Sequence, residues 1–366
     1  LVYLRENANL STGGVAVDAT DEICAENRRL CIRAAQAVGL DVAGVDLVVE
    51  DPCRPAVQTG GAVIEVNAAP GIRMHHYPLS GQPRDAAGAI VDWLFPEGSP
   101  VRIPIVSVTG TNGKTTTTRM IAHILSITGL TVGVTTTDGI YIGGERIVKG
   151  DTTGPRSART VLQDPEVEAA VLETARGGII RGGLGYDLAD VGVVTNVSDD
   201  HLGQDGIIDL DDLAWVKSLV VEAIKNDGTA VLNADDTRVL AMAERARCRL
   251  AYFSLEAGNI FLRKHCSEEG LGVYVKGGAI TAMKEGKEER IASLRSVPCV
   301  LGGKAVHNIQ NALAATAAAL ALGVPADVIR SALKSFAKNP EQNPGRLSLI
   351  AVGDVRLVVD YGHNAA

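Results

Sequence analysis

A chain of 366 residues with 46% hydrophobic and 21% charged residues is too long for one compact core, and its composition excludes disordered and fibrous classes; two or three globular domains are expected. A formal net charge of −8 argues against nucleic acid as the main partner. The apolar runs fall far short of a membrane span, and no leader resembles a signal peptide, so a soluble, cytoplasmic protein with no membrane partner is expected. Six scattered cysteines, Cys24, Cys31, Cys53, Cys248, Cys266 and Cys299, lack the paired spacing of a zinc or redox site and read as reduced thiols.

Residues 21–38, DEICAENRRLCIRAAQAV, place Ile23, Leu30, Ala34 and Val38 at near-helical spacing, with Gly39 as a stop. Two strand candidates follow, VAGVDLVV and GGAVIEVNAAPG. WLFPEGSPVRIP, with three prolines, is the expected linker. Beyond Pro104 the rhythm becomes strand, loop, helix. IVSV leads into a helix over 115–127 whose apolar stripe is Met120, Ile121, Ile124 and Leu125. The buried-type strands TVGVTT, EAAVLE, DVGVVTN and TAVLN follow. Such strands alternating with helices predict an α/β parallel sheet covered on both faces. Residues 256–295 read as a small antiparallel insert, AVHNIQNALAATAAALALG as an Ala-rich helix, and RLSLIAVGDVRLVVD as a hairpin turning at Gly353-Asp354. The start LVYLRENANLSTGG, without an initiator Met, and the end VVDYGHNAA read as cuts through domains. A piece of a longer protein, unable to turn over by itself, is therefore expected.

The segment TGTNGKT, residues 109–115, lies between a predicted strand and a predicted helix. Gly110 and Gly113 let the backbone N–H groups of Thr111 and Asn112 turn toward an anion, Lys114 supplies a point charge, and the Thr115 hydroxyl can ligate Mg²⁺. The spacing is shorter than the common GxxxxGK[ST] form. Glu173 ends one strand and His201 follows another. Ligands gather at the carboxyl ends of strands in an open parallel sheet, so Thr115, Glu173 and His201 are candidate Mg²⁺ ligands. Taken alone, Glu173 reads equally as a buried ion pair and His201 as a loop cap. In AVIEVNAAPG, Glu65 and Asn67 are two apart on a strand and share a face, and Asp46 of the neighbouring strand can complete three oxygen donors for Mg²⁺; an exposed pair is the simpler reading of Glu65 and Asn67 alone.

TGTNGKTTTT, Glu173, SDDHLG, LNADD, HNIQNALAA and PGR occur in the order and spacing of the Mur ligases and folylpolyglutamate synthetases, which the chain resembles over roughly residues 100–366. The resemblance implies ATP and Mg²⁺ as cofactors, with Gly110 to Thr116 on the phosphates and Lys114, His201 and Arg346 as catalytic residues. It implies Asn308 as a contact to adenine, Arg346 near the γ-phosphate and Asp360 near the ribose. Lys217, in AWVKSLV, matches a lysine that many members carry as a carbamate, or is a plain lysine on a helix surface. In this family ATP converts a carboxylate into an acyl phosphate that an amine then attacks.

Asp46, Glu65, Asn67 and the flanking NLSTGG and AAPG resemble the last lobe of an ATP-grasp ligase, an α+β fold. The expected organisation is a partial ATP-grasp domain over 1–95, a P-loop-type Mur ligase central domain over 96–343, and the start of a third domain over 344–366. An ATP-grasp lobe fused to a Mur-like ligase is similar to the cyanophycin synthetase family, as are the segments GDTTGPRSA and ETARGGIIRGGLGYD. That resemblance implies aspartate, arginine and an aspartate–arginine polymer primer as partners, and a homo-oligomer at full length. One site would extend the backbone with aspartate and the other would join arginine to its side chains. Thr152, Thr153, Arg156, Arg176 and Arg181, with Arg159 beside them, are then candidate substrate contacts. Pairing of the arginines with Asp151 or Asp187 is the alternative. Two other functions stay open: a Mur-type or folate ligase acting on a different acid, and a nucleotide switch that hydrolyses ATP only to change shape.

Overall fold

All five residues of Ile105–Thr109 (β3) are buried, Ser107 and Thr109 included, so neither face of the strand meets solvent. It lies between two parallel neighbours, β7 (Ala169–Glu173) and β8 (Ala189–Val194), which hydrogen-bond it along both edges. The computed structural model describes residues 14–199, 202–352 and 355–362. They fall into two compact units, 1–101 and 102–366.

In the first unit, helix α1 (Ala25–Ala37) accompanies an antiparallel pair, β1 (Gly44–Val48) and β2 (Ala62–Asn67). Residues 20–22 are a turn, so the helix begins later than its apolar spacing predicts, and Ile23 and Val38 lie outside it. Buried Asn27 fixes the adjoining loop, donating to the carbonyls of Pro52 and Arg54 and accepting the Ala56 amide at 2.7 Å. A second helix, α2 (Ala86–Leu94), is capped by Asp85, whose carboxylate accepts from the Gly88 amide.

In the second unit, eleven strands among the described residues form one sheet. Seven are parallel, in the order β11 (Leu271–Lys276), β10 (Arg249–Ser254), β9 (Ile224–Asn233), β8, β3, β7 and β4 (Val132–Thr136). Beyond β4 the sheet continues antiparallel through β5 (Gly139–Ile142) and β6 (Glu145–Lys149). Beyond β11 it continues through β12 (Ala279–Lys284) and β13 (Lys287–Ser293). The expected insert over 256–295 is thus no separate sheet: β11 pairs in parallel with β10, and the hairpin behind it extends the same surface. The β5–β6 hairpin was not foreseen; its turn is Gly143-Gly144.

The first helix after β3 is α3 (Lys114–Ile127); among those that come later are α4 (Pro155–Leu162), α5 (Arg176–Gly182), α6 (Leu210–Glu222), α7 (Val306–Ala321) and α8 (Ala326–Ser335). Helix α7 is rich in alanine where it is buried, at Ala312, Ala314, Ala315, Ala317, Ala318 and Ala319, which lets its backbone lie close to α3 and the sheet. The predicted C-terminal hairpin is present as β14 (Ser348–Val352) and β15 (Val355–Val359). Its turn, Gly353-Asp354, lies outside the described residues. All six cysteines are unpaired. No helix among the described residues is long and apolar enough to cross a membrane.

Candidate active site

The chain leaves β3 at Thr109 and must turn sharply to enter α3. Gly110 sits at φ +143, where a Cβ would come within 1.9 Å of Thr195 Oγ1. Thr111 and Asn112 are tied to the end of β8. The Thr111 amide donates to the Asn196 carbonyl at 2.9 Å, and the Asn112 amide donates to Asn196 Oδ1 at 2.8 Å. Gly113 is the N-cap of α3 with no capping side chain, so the first-turn N–H groups have no intrahelical acceptor and open toward the cleft. Gly113 is held at φ +82, and a Cβ there would lie 2.2 Å from Asn311 Oδ1 on α7. Gly113→Ala is therefore expected to cost about 2 kcal/mol through the left-handed backbone and the displaced asparagine, read as a drop in urea midpoint at unchanged slope.

This loop forms one wall of a cleft of about 770 Å³. At its base Glu173, 2% exposed, accepts a hydrogen bond from the Thr115 hydroxyl at 3.1 Å and one from the Thr137 amide at 3.2 Å. Burial raises its pKa above the ordinary carboxylate value; the charges of Lys114 and Arg346 and the two hydrogen bonds oppose that rise without cancelling it. Lys114 Nζ donates to the Thr111 carbonyl at 2.8 Å, which folds it over the loop. Arg346 reaches in from the segment before β14, donates to Thr137 Oγ1 at 3.4 Å and stacks 4.5 Å above the Tyr361 ring.

A buried carboxylate beside a hydroxyl, with too little positive charge to offset its burial, suits a divalent cation. Thr115 and Glu173 would be its protein donors. Among the described residues no group of three or more His, Cys, Asp or Glu side chains is placed to hold a metal. A hydroxyl and one carboxylate leave positions for water and phosphate oxygens, the usual coordination of Mg²⁺ with a nucleotide.

Gly110 through Thr116, Glu173, Asn308, Arg346 and Asp360 all line the cleft, as do Thr153, Arg176 and Arg181. Asn308 is 3% exposed; it donates to the Cys299 carbonyl and accepts from Asn311 Nδ2 at 3.1 Å, which commits one of its two amide hydrogens. Asp360 accepts the Leu347 amide at 3.0 Å. His201 lies outside the described residues.

The packing also places the remaining candidates. Thr152 does not line the cleft: its hydroxyl donates to the Thr136 carbonyl at 2.7 Å and accepts from the Thr136 amide, tying it to the end of β4. Arg156 and Arg159 are exposed on α4 and outside the lining, because the helix turns them toward solvent. Arg176 pairs with Asp205 at 3.3 Å rather than with Asp151 or Asp187, and Asp187 pairs with Arg102. Lys217 is no surface lysine. It is 3% exposed and donates to the Gly110 carbonyl at 2.7 Å, beneath the phosphate loop. In the first unit Asp46 pairs in register with Glu65, both exposed, while Asn67 stands opposite Gly44.

Thr137, Asp138, Asn196, Asp205 and Asn311 also line the cleft and escaped the sequence reading. Only Asn311 carried a usable signal: it stands three residues after Asn308 in HNIQN, hence on the same helical face. The others sit in turns or strand ends, whose positions long-range pairing decides.

A Mur ligase middle domain family model matches residues 108–319, and a RimK-like ATP-grasp domain model matches residues 5–94. The whole chain is 51% identical to a cyanophycin synthetase from Nostoc sp. and 49% identical to one from Synechocystis sp., matching 41% and 42% of those proteins. The chain thus spans about two fifths of the length of these relatives. Among solved structures, a UDP-N-acetylmuramoyl-L-alanyl-D-glutamate–2,6-diaminopimelate ligase superposes over 75% of this chain and 53% of its own, with a TM-score of 0.55 at 22% identity, a likeness of fold alone.

Proposed function

The chain belongs to the Mur ligase family through its middle domain, and from that premise we propose that it is part of an ATP-dependent acid–amino-acid ligase, with the carboxylate activated as an acyl phosphate. The observation that carries this reading is the meeting of Lys114, Thr115, Glu173 and Arg346 in one cleft. A carboxylate oxygen attacks the γ-phosphorus of ATP, the bond to the bridging oxygen breaks, and ADP leaves. An amine then attacks the acyl carbon, phosphate departs with the C–O electron pair, and the amine loses its proton. No protein nucleophile takes part.

This chain's residues position and neutralise. The open first turn of α3 binds phosphate oxygens, Lys114 follows the charge that shifts to the β–γ bridge, and Arg346 meets the transferred phosphoryl group. Mg²⁺ held by Thr115 and Glu173 would lower the negative charge on the phosphates. His201 is a further ligand in this reading, Asn308 and Asp360 face adenine and ribose, and Thr116, in the first turn of α3, is a further ATP contact.

In this reading the full-length protein resembles the cyanophycin synthetases in activity as well as in sequence, with aspartate, arginine and an aspartate–arginine primer as substrates of a cytoplasmic homo-oligomer. Residues 1–95 would belong to its ATP-grasp domain, with Asp46, Glu65 and Asn67 binding metal, 96–343 would form the Mur-like domain and 344–366 would begin the next. Full-length protein given ATP and primer should release ADP with arginine or with aspartate alone, each amino acid driving one site. Equal ADP release without either would reverse the conclusion in favour of a hydrolytic switch.

Arg176 and Arg181, with Thr153 also in the lining, are the proposed grip on the polymer's carboxylates. Arg176→Ala should raise the KM for primer by about 10-fold or more, the loss of a charge-assisted hydrogen bond, while the KM for ATP holds. An unchanged primer KM would remove Arg176 from the substrate site.

A further inference from the structure

Arg119 stands one turn beyond Thr115 on the same face of α3, with a side chain only 10% exposed. One guanidinium nitrogen donates to Asp138 Oδ1 and another to Asn343 Oδ1 at 3.4 Å. Asp138 lies in the turn from β4 to β5 and also accepts the hydroxyls of Thr136 and Tyr141. Its neighbour Thr137 gives its amide to Glu173, and its hydroxyl lies 3.3 Å from that of Thr115 and 3.4 Å from an Arg346 nitrogen.

The second prong reaches the segment that carries Arg346. Asn343, 2% exposed, donates to the Arg346 carbonyl at 3.3 Å and to Thr116 Oγ1 at 3.4 Å, and its own carbonyl accepts the Arg346 amide and the Ser348 hydroxyl. Two turns far apart in sequence are therefore held by one guanidinium, and the residues they present, Thr137 and Arg346, meet beside Glu173.

We propose that Arg119 is a positioning residue for the phosphoryl transfer: its planar fork locks the Thr137 turn and the Arg346 turn in register around Glu173. A lysine has the charge but not the fork and can seat only one of the two turns. Arg119 itself is absent from the cleft lining, so it acts through Arg346 and Thr137 and not on the nucleotide. This rests on the ATP-dependent ligase reading of the cleft.

The test uses full-length protein carrying Arg119→Lys, Arg119→Ala or Asp138→Asn. Arg119→Lys should lower the kcat of ligation about 30-fold, the scale of a sub-ångström misplacement, while nucleotide affinity stays within about threefold and the melting temperature is retained. Free guanidinium should restore part of the activity of Arg119→Ala, and methylammonium should not. The double variant Arg119→Lys/Asp138→Asn should lose little more than either single variant, since both break one device.

Wild-type kcat in Arg119→Lys, or losses that simply add in the double variant, overturns the positioning role. So does a fall in nucleotide affinity and melting temperature that matches the fall in kcat. If Arg119→Ala does not fold, the lysine variant and the double variant decide. A wild-type protein that ligates nothing brings down the ligase reading itself, whereas an active wild type with an equally active Arg119→Lys brings down only Arg119.

Discussion

Lys114→Met is expected to lower the ligation kcat by about 10³-fold, a barrier increase of about 4 kcal/mol, while leaving the fold intact. The ammonium reaches back over the phosphate loop to the Thr111 carbonyl, so it holds a cation where charge develops on the bridging oxygen as ADP departs. Methionine fills a similar volume, so packing around the first turn of α3 is kept and the loss falls on charge. ATP binding should weaken much less than kcat, because the N–H groups of the loop and helix persist. Single-turnover measurement of acyl-phosphate formation, trapped with hydroxylamine, checks this directly; a variant that forms it at the wild-type rate removes Lys114 from catalysis.

Glu173→Gln should separate stability from activity. Burial raises the folded-state pKa of Glu173 above its ordinary value of 4.5. A carboxyl raised in this way binds its proton more tightly in the native state, so its stabilising contribution is complete below pH 4.5 and is lost as pH rises through the folded value. The metal-free wild type should therefore lose stability between pH 4.5 and that higher value, and Glu173→Gln should lack this component of the slope. Chemical denaturation across that range measures it. Magnesium and ATP should stabilise the wild type well above the variant, and ligation by the variant should fall by about 10²-fold or more. A variant with the wild-type pH slope and the same magnesium response would remove Glu173 from the metal site.

The sheet was legible because five of its parallel strands are runs of apolar residues in a chain of otherwise mixed character, and a strand buried on both faces has to be written that way. The phosphate loop was legible because only glycine tolerates the backbone of residues 110 and 113, and the lysine and threonine follow without a gap. The hairpin β5–β6 was missed because its exposed outer strand, Glu145–Lys149, has no buried face to pattern it. The arginines of residues 156–181 were read as one cluster, yet α4 turns Arg156 and Arg159 to solvent while α5 presents Arg176 and Arg181 to the cleft.

Local sequence alone dictates that Thr109 to Thr115 leaves a strand, turns on glycines and opens a helix whose first turn accepts an anion, because each step depends on neighbouring residues and their backbone freedom. Folding in three dimensions decides what faces that turn. It buries Lys217 under Gly110, joins Asn311 to Thr117 in the first turns of α3, and lets Arg119 tie Asp138 to Asn343; the bonds Lys217–Gly110, Thr117–Asn311 and Arg119–Asn343 span 107, 194 and 224 residues. Such contacts come from the order of strands in the sheet and the close approach of an alanine-lined helix. Spacing within any one segment carries no trace of them.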